Sequence, residues 1–177
     1  MEKSLKSIAT NYGLYLGVLL ALITVLAYAI NLDLYTQVWF GLTIIAIIII
    51  FGILSVIAVK KTNEGFLSFK HTFSAYFITI LIGLLISAFV SVLIFNVVDT
   101  EASNILQEKI INAQVERLQN FNVPAEVVAE TVEKMEAQGN MYSLGNVLQS
   151  LVWQLVGFSV VGLIVAAAMK KKKPDTE

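Results

Sequence analysis

The chain has 177 residues, of which 57% are hydrophobic and 14% charged, with a mean hydropathy of +0.78. So few charges do not clothe that much apolar surface in water, and an ordinary soluble fold is excluded. The lack of cysteine excludes disulfides, thiol nucleophiles and thiolate metal sites, and the formal net charge of −1 gives nucleic acid no general attraction.

Four stretches, 7–32, 34–59, 72–98 and 137–169, contain no Asp, Glu, Lys or Arg. A helix rising 1.5 Å per residue crosses a hydrocarbon core of ~30 Å in about 20 residues, and every stretch exceeds that. The fold is therefore predicted to be all-α: one membrane domain over 1–177 with spans at about 10–31, 37–59, 72–98 and 144–169. Residues 99–143 form an extracytoplasmic helical hairpin inserted between spans three and four.

The first span follows Lys3 and Lys6 and ends on Ala27-Tyr28-Ala29, which imitates a signal peptide with a small-x-small cleavage site. Its apolar run is longer than the roughly 7–15 residues of a signal core, so it is read as a retained span. Cleavage after Ala29 would leave three. Gly13, Gly17 and Ala21 recur at four-residue spacing and share one helix face. The second span carries the run Ile44–Ile50, a strand pattern in water. In lipid an open strand leaves its backbone unpaired, so the run is helical and turned mostly to acyl chains.

The third span repeats the small-residue spacing at Gly83, Ser87 and Ser91, and the fourth has Gly162 and Ala166. Such faces let backbones approach closely, either inside one bundle or between copies in a homo-oligomer. Asn146, Gln149, Ser150 and Gln154 form a polar stripe on the outer half of the fourth span, beside Trp153. The stripe either bonds across to Ser87, Ser91 or Asn96 or lines a wet pathway.

Within the insert, residues 100–121 are rich in helix formers, with Leu106, Ile110 and Ala113 on one face and Ile111, Val115 and Leu118 on the next. Asn120-Phe121-Asn122 turns the chain, and Pro124 opens a second helix with Val128, Val132 and Met135 on its apolar face. The third span is expected to run straight into the first of these helices. The surplus apolar face of the hairpin needs a partner surface.

Charge placement orients the chain. The N-terminus, the second loop and the C-terminus together hold nine basic residues against four acidic ones, while the first and third loops hold three against nine. Basic loops stay cytoplasmic, which puts both termini inside and the 99–143 loop outside. Lys170, Lys171, Lys172 and Lys173 anchor the inner end of the fourth span and are candidates for anionic-lipid contact.

The spans hold no ionisable side chain of the kind membrane enzymes use, and the one histidine, His71, sits at the start of the third span. Glu126, Glu130, Glu133 and Glu136 lie along a straight helix that does not wrap a cation. No phosphate loop, nucleophile elbow, zinc-protease or dinucleotide pattern occurs. No catalytic, cofactor or metal site is predicted, and no nucleic-acid partner. The expected partners are the lipid bilayer and another membrane protein or a second copy.

The run Gly65-Phe66-Leu67-Ser68-Phe69-Lys70 leading into the third span, Asp99 just past it and the long acidic helical insert resemble small four-span bacterial inner-membrane proteins carrying a domain of unknown function. That resemblance covers essentially the whole chain, carries no assigned activity, and implies a bacterial inner membrane with the insert in the periplasm. The expected function is non-enzymatic association through the small-residue faces or the hairpin. The alternative is a subunit of an oligomeric transporter or channel, with the polar stripe facing the pathway.

Overall fold

A computed structural model describes residues 2–171. The helices are α1 (Glu2–Ile30), α2 (Val38–Thr62), α3 (Phe69–Leu93), α4 (Thr100–Asn120), α5 (Ala125–Ala137) and α6 (Leu144–Met169). A short 3-10 turn, Leu32–Thr36, joins α1 to α2, and a π-helical turn, Ile94–Val98, extends α3. Among the described residues there is no strand beyond an isolated antiparallel bridge between Leu67 and Lys171.

Four of these helices are long and apolar enough to cross a membrane: Ser4–Ile30, Val38–Thr62, Phe69–Val98 and Leu144–Met169. Their starts and stops follow local chemistry. The Ser68 hydroxyl accepts the His71 N–H at the start of α3, and Ser143 accepts the Asn146 N–H at the start of α6. Gly65, at φ +82°, and Gly139, at φ +64°, supply the left-handed residues after α2 and α5.

The expectation that the third span continues unbroken into the insert does not hold. The helix ends in the π turn, and Asp99 leaves helical geometry at φ −145°. Its carboxylate accepts the Ala102 N–H at 2.8 Å, so Asp99 stops one helix and caps the next.

The bundle is assembled around α3, which packs along α1, α2 and α6. α1 and α2 also touch each other, whereas α6 meets the rest through α3 and, sparsely, α2. In consequence 17% of the apolar window of α6 is buried, against 28% for each other span. The core contains Leu16, Ile48, Val56, Tyr76, Ile80 and Leu84. At its centre the Thr79 hydroxyl lies 2.7 Å from Ser55 Oγ, 2.9 Å from the Ala75 carbonyl and 3.1 Å from the Ala9 carbonyl, tying α1, α2 and α3 together. Exposed faces such as Leu14, Val18 and Leu22 on α1, or Leu42, Ile50 and Ile57 on α2, have the apolar character that lipid requires.

The α4–α5 pair folds back onto the end of the bundle rather than standing free. α4 packs on both the 3-10 turn and the π turn. Leu106 is fully buried, and Ile110 joins a second core with Ile94, Phe95 and Ala102. α5 packs on α4 and buries Val128. The apolar stripes of the insert are thus largely taken up by the chain itself, although Phe121 at the tip stays 82% exposed.

Candidate functional site

A groove of about 720 Å³ lies between α3 and the half of α6 nearest the insert. α3 contributes Leu84, Ser87, Ala88 and Ser91. α6 contributes Asn146, Ser150, Leu151 and Gln154, and Met141 and Tyr142 close the end. Both walls are therefore polar in part, and neither carries a charge.

Hydrogen bonding explains why the groove stays open. The Ser91 hydroxyl donates back to the Ser87 carbonyl at 2.9 Å, and Gln154 Nε2 donates to Ser150 Oγ at 3.0 Å. Each bond stays within its own helix, and among the described residues none crosses between α3 and this part of α6. The Gln149 side chain makes no hydrogen bond among the described residues, and Gln149, Ser150 and Gln154 are all exposed. Asn146 differs from the rest of the stripe: its amide donates at 2.9 Å to the carbonyls of both Gln138 and Asn140.

The small residues divide in the same way. An added Cβ on Gly13 would stand 2.8 Å from Ile82 Cβ, one on Gly17 2.6 Å from Ile86 Cδ1, and one on Gly83 2.5 Å from Leu16 Cδ2. These three glycines bring α1 and α3 together inside one chain. Gly162 lies against Tyr76 with 2.7 Å to Cδ1, and Ala166 is fully buried. Ala21 is half-buried, while Ser87 and Ser91 line the groove. A further glycine, Gly52 on α2, lies against the opposite edge of the Tyr76 ring, 2.5 Å from Cε2. Tyr76 is held between two glycines of different helices. The isolated Gly52, inside an isoleucine-rich run, gives no spacing signal of that role.

Asn140, in the link between α5 and α6, is the hub that closes the groove end. Its Oδ1 accepts from Ser103 Oγ at 2.9 Å and from the Tyr142 N–H at 2.8 Å, and its Nδ2 donates to Asn96 Oδ1 at 3.2 Å. Asn96 in turn donates to the Tyr142 carbonyl. The Tyr142 ring stacks on Phe95 at 4.2 Å, and Tyr28 and Tyr35 meet Phe95 edge-on. Burial pushes the Tyr35 hydroxyl up to about 12 and raises Tyr142 as well.

Charged contacts fasten the insert from outside. Lys109 pairs with Asp33, and Arg117 donates to the Thr36 carbonyl. The Lys109 ammonium holds the Asp33 carboxyl below its ordinary value. Asp99 is likewise held down, first by the Ala102 N–H and then by the Tyr28 hydroxyl at 2.8 Å.

At the far end of the bundle Lys60 Nζ donates to the Met169 carbonyl at 2.8 Å, a cation on the negative end of α6. Lys170 lies over Phe69 and Lys171 over Phe66, at 5.9 and 5.3 Å. Lys172 and Lys173 lie outside the described residues. Among the described residues no three His, Cys, Asp or Glu side chains are grouped to hold a metal ion.

Four apolar spanning-length helices, a hub helix at their centre and an uncharged lateral groove define a multi-pass integral membrane protein. Over residues 11–171 the chain matches the family described as "Protein of unknown function (DUF4199)", and it belongs to that family. No curated protein and no solved structure matches it.

Proposed function

We propose that this is a non-enzymatic membrane protein that works by helix–helix association, with the outer half of α6 and its groove as the recognition surface. The observation that carries the reading is the direction of Gln149 and Gln154. Both are exposed on a predominantly apolar span, and neither bonds to another helix of the chain. An unpaired carboxamide in hydrocarbon costs several kcal/mol, and an interhelical hydrogen bond recovers roughly 0.6–2 kcal/mol. A neighbouring helix satisfies these groups where lipid does not. The hairpin is a weaker candidate, because its apolar residues already cover the bundle end and each other.

The proposed setting is a bacterial inner membrane, with both termini in the cytoplasm and residues 99–143 outside. Its support is the excess of lysine in the terminal and second-loop segments. α1 is proposed to be a permanent span, since Gly13 and Gly17, about one turn apart, seat it against Ile82 and Ile86.

The test is a photoreactive side chain at position 153, activated in native membranes. Association requires a protein adduct; adducts of lipid alone refute it. A second reading, a transporter or channel subunit, is supported by the hydroxyls of Ser87 and Ser91 facing the stripe across the groove. It requires that flux into proteoliposomes fall on Gln154→Leu, and it fails if the protein supports no flux.

A further inference from the structure

We infer that the crevice between the end of α4 and the start of α2 holds the headgroup of a zwitterionic phospholipid bearing a primary ammonium, taken from the leaflet on the insert side. The inference is independent of the association reading for α6 and needs only that α2 crosses the bilayer.

The crevice, of about 680 Å³, lies where α4 overhangs the first turns of α2. Glu116, Arg117 and Asn120 line its α4 side, and Trp39 and Leu42 line its α2 side. Trp39 is 58% exposed and Leu42 61%, at the point where the apolar span begins. A tryptophan at such a boundary stands at headgroup level. Val38, Gly41, Leu42 and Ile45 share one face of α2, and all four are exposed. An added Cβ on Gly41 meets nothing within 4 Å, so no part of the chain covers this strip. An occupant of the crevice therefore has a polar end against α4 and hydrocarbon along α2. A membrane lipid has that form; a water-soluble solute and an apolar helix do not.

Charge selects the headgroup. Glu116 and Arg117 are the charged side chains that line the crevice, one of each sign. An N–H of Arg117 donates to the Thr36 carbonyl, which fixes the guanidinium at the lip and leaves four of its five donors. A guanidinium is matched to the oxygens of a phosphate, which it binds through two parallel N–H groups. Among the described residues Glu116 has no ion-pair partner, and the nearby Lys109 and Asp33 are taken up by each other. One anion and one cation thus remain to face a ligand, the complement of a headgroup that carries phosphate and ammonium. An anionic headgroup offers Glu116 only repulsion, and a quaternary ammonium offers it no N–H.

The chain has two tryptophans, so Trp153→Phe leaves Trp39 as the sole one and Trp39→Phe leaves Trp153. The full-length protein is reconstituted in vesicles of phosphatidylethanolamine and phosphatidylcholine in equal amounts, one of them brominated near the top of its acyl chains to quench a neighbouring indole. At Trp39, phosphatidylethanolamine should quench as a lipid bound about 2- to 5-fold more tightly than phosphatidylcholine. Phosphatidylglycerol in its place should show no such advantage. Trp153, in a groove that carries no charge, should show no preference. Glu116→Gln should bring the Trp39 ratio to one. Glu101→Gln, the same change of charge about 22 Å away along α4, should leave it unaltered. Arg117→Gln should remove the advantage of phosphatidylcholine over a phosphate-free glycosyl diacylglycerol. A ratio of one at Trp39, the same preference at Trp153, an equal advantage for phosphatidylglycerol, or a preference that survives Glu116→Gln overturns the inference; an advantage that survives Arg117→Gln overturns the phosphate contact.

Discussion

Adding a methyl group to Gly52 gives the sharpest test of how the spans are held together. The new Cβ would stand 2.5 and 2.6 Å from Cε2 and Cδ2 of Tyr76, where carbon atoms rest about 3.5–4.0 Å apart. The ring has nowhere to go, because Gly162 meets its other edge with Cβ distances of 2.7 and 2.9 Å. Overpacking of this kind costs about 1–3 kcal/mol, while replacing glycine by alanine in a helix returns up to about 1 kcal/mol. Gly52→Ala and Gly162→Ala should therefore each be about 1–3 kcal/mol less stable than Gly41→Ala, whose Cβ meets nothing within 4 Å. The double variant should lose more than the sum of the two, since each methyl removes the space into which the other pushes the ring. Reversible unfolding in bicelles or mixed micelles measures these differences. In a Tyr76→Ala background the penalty of Gly52→Ala should vanish. Gly52→Ala matching Gly41→Ala, or keeping its cost without the ring, would refute the packing described.

Three other outcomes are expected. The Tyr76 hydroxyl is buried without a hydrogen-bond partner among the described residues, so Tyr76→Phe should raise stability by about 1 kcal/mol in the same assay, and a loss of that size would contradict its orphan state. Asn140→Ala removes the three hydrogen bonds of the Asn140 side chain and should speed hydrogen exchange at the start of α4 and the α5–α6 link while leaving α1 and α2 protected. Asp33 and Asp99 both have lowered carboxyl pKa values, so their hold on the insert is complete above the ordinary value of about 3.9 and is lost as pH falls below it. Proteolysis of the insert by an acid-active protease should rise below about pH 4 and stay flat from pH 5 to 8; the Asp33→Asn, Asp99→Asn double variant should lose that dependence.

The spans were legible because hydrocarbon tolerates no charge, and four uncharged stretches leave few alternatives. Gly13 and Gly17 were legible as a face for the same kind of reason, since four-residue spacing is a geometric property of one helix. Which surface meets that face is not, because periodicity describes a helix without its neighbours. Gly52 shows the limit: its role depends on a ring from α3 and a glycine from α6, neither adjacent in sequence. The stripe on α6 was visible as a stripe, but Asn146 turns inward to the chain link while Gln149 and Gln154 face outward. That division depends on where α5 ends and how the link returns. The break at Asp99 carries no glycine or proline, and only the Asp-Thr-Glu sequence hinted at a cap. The folding back of α4 depends on charged contacts to the 3-10 turn, from Lys109 to Asp33 and from Arg117 to Thr36, 76 and 81 residues apart.

Everything proposed for α6 requires that the four long helices cross a bilayer, with the insert on one side and the α2–α3 loop on the other. The direct measurement is labelling of Phe121→Cys and Thr62→Cys, each the only cysteine in its chain, with a membrane-impermeant maleimide. Phe121→Cys should react in intact cells and Thr62→Cys only after the membrane is opened. Reaction of both from the same side would contradict the four-span account.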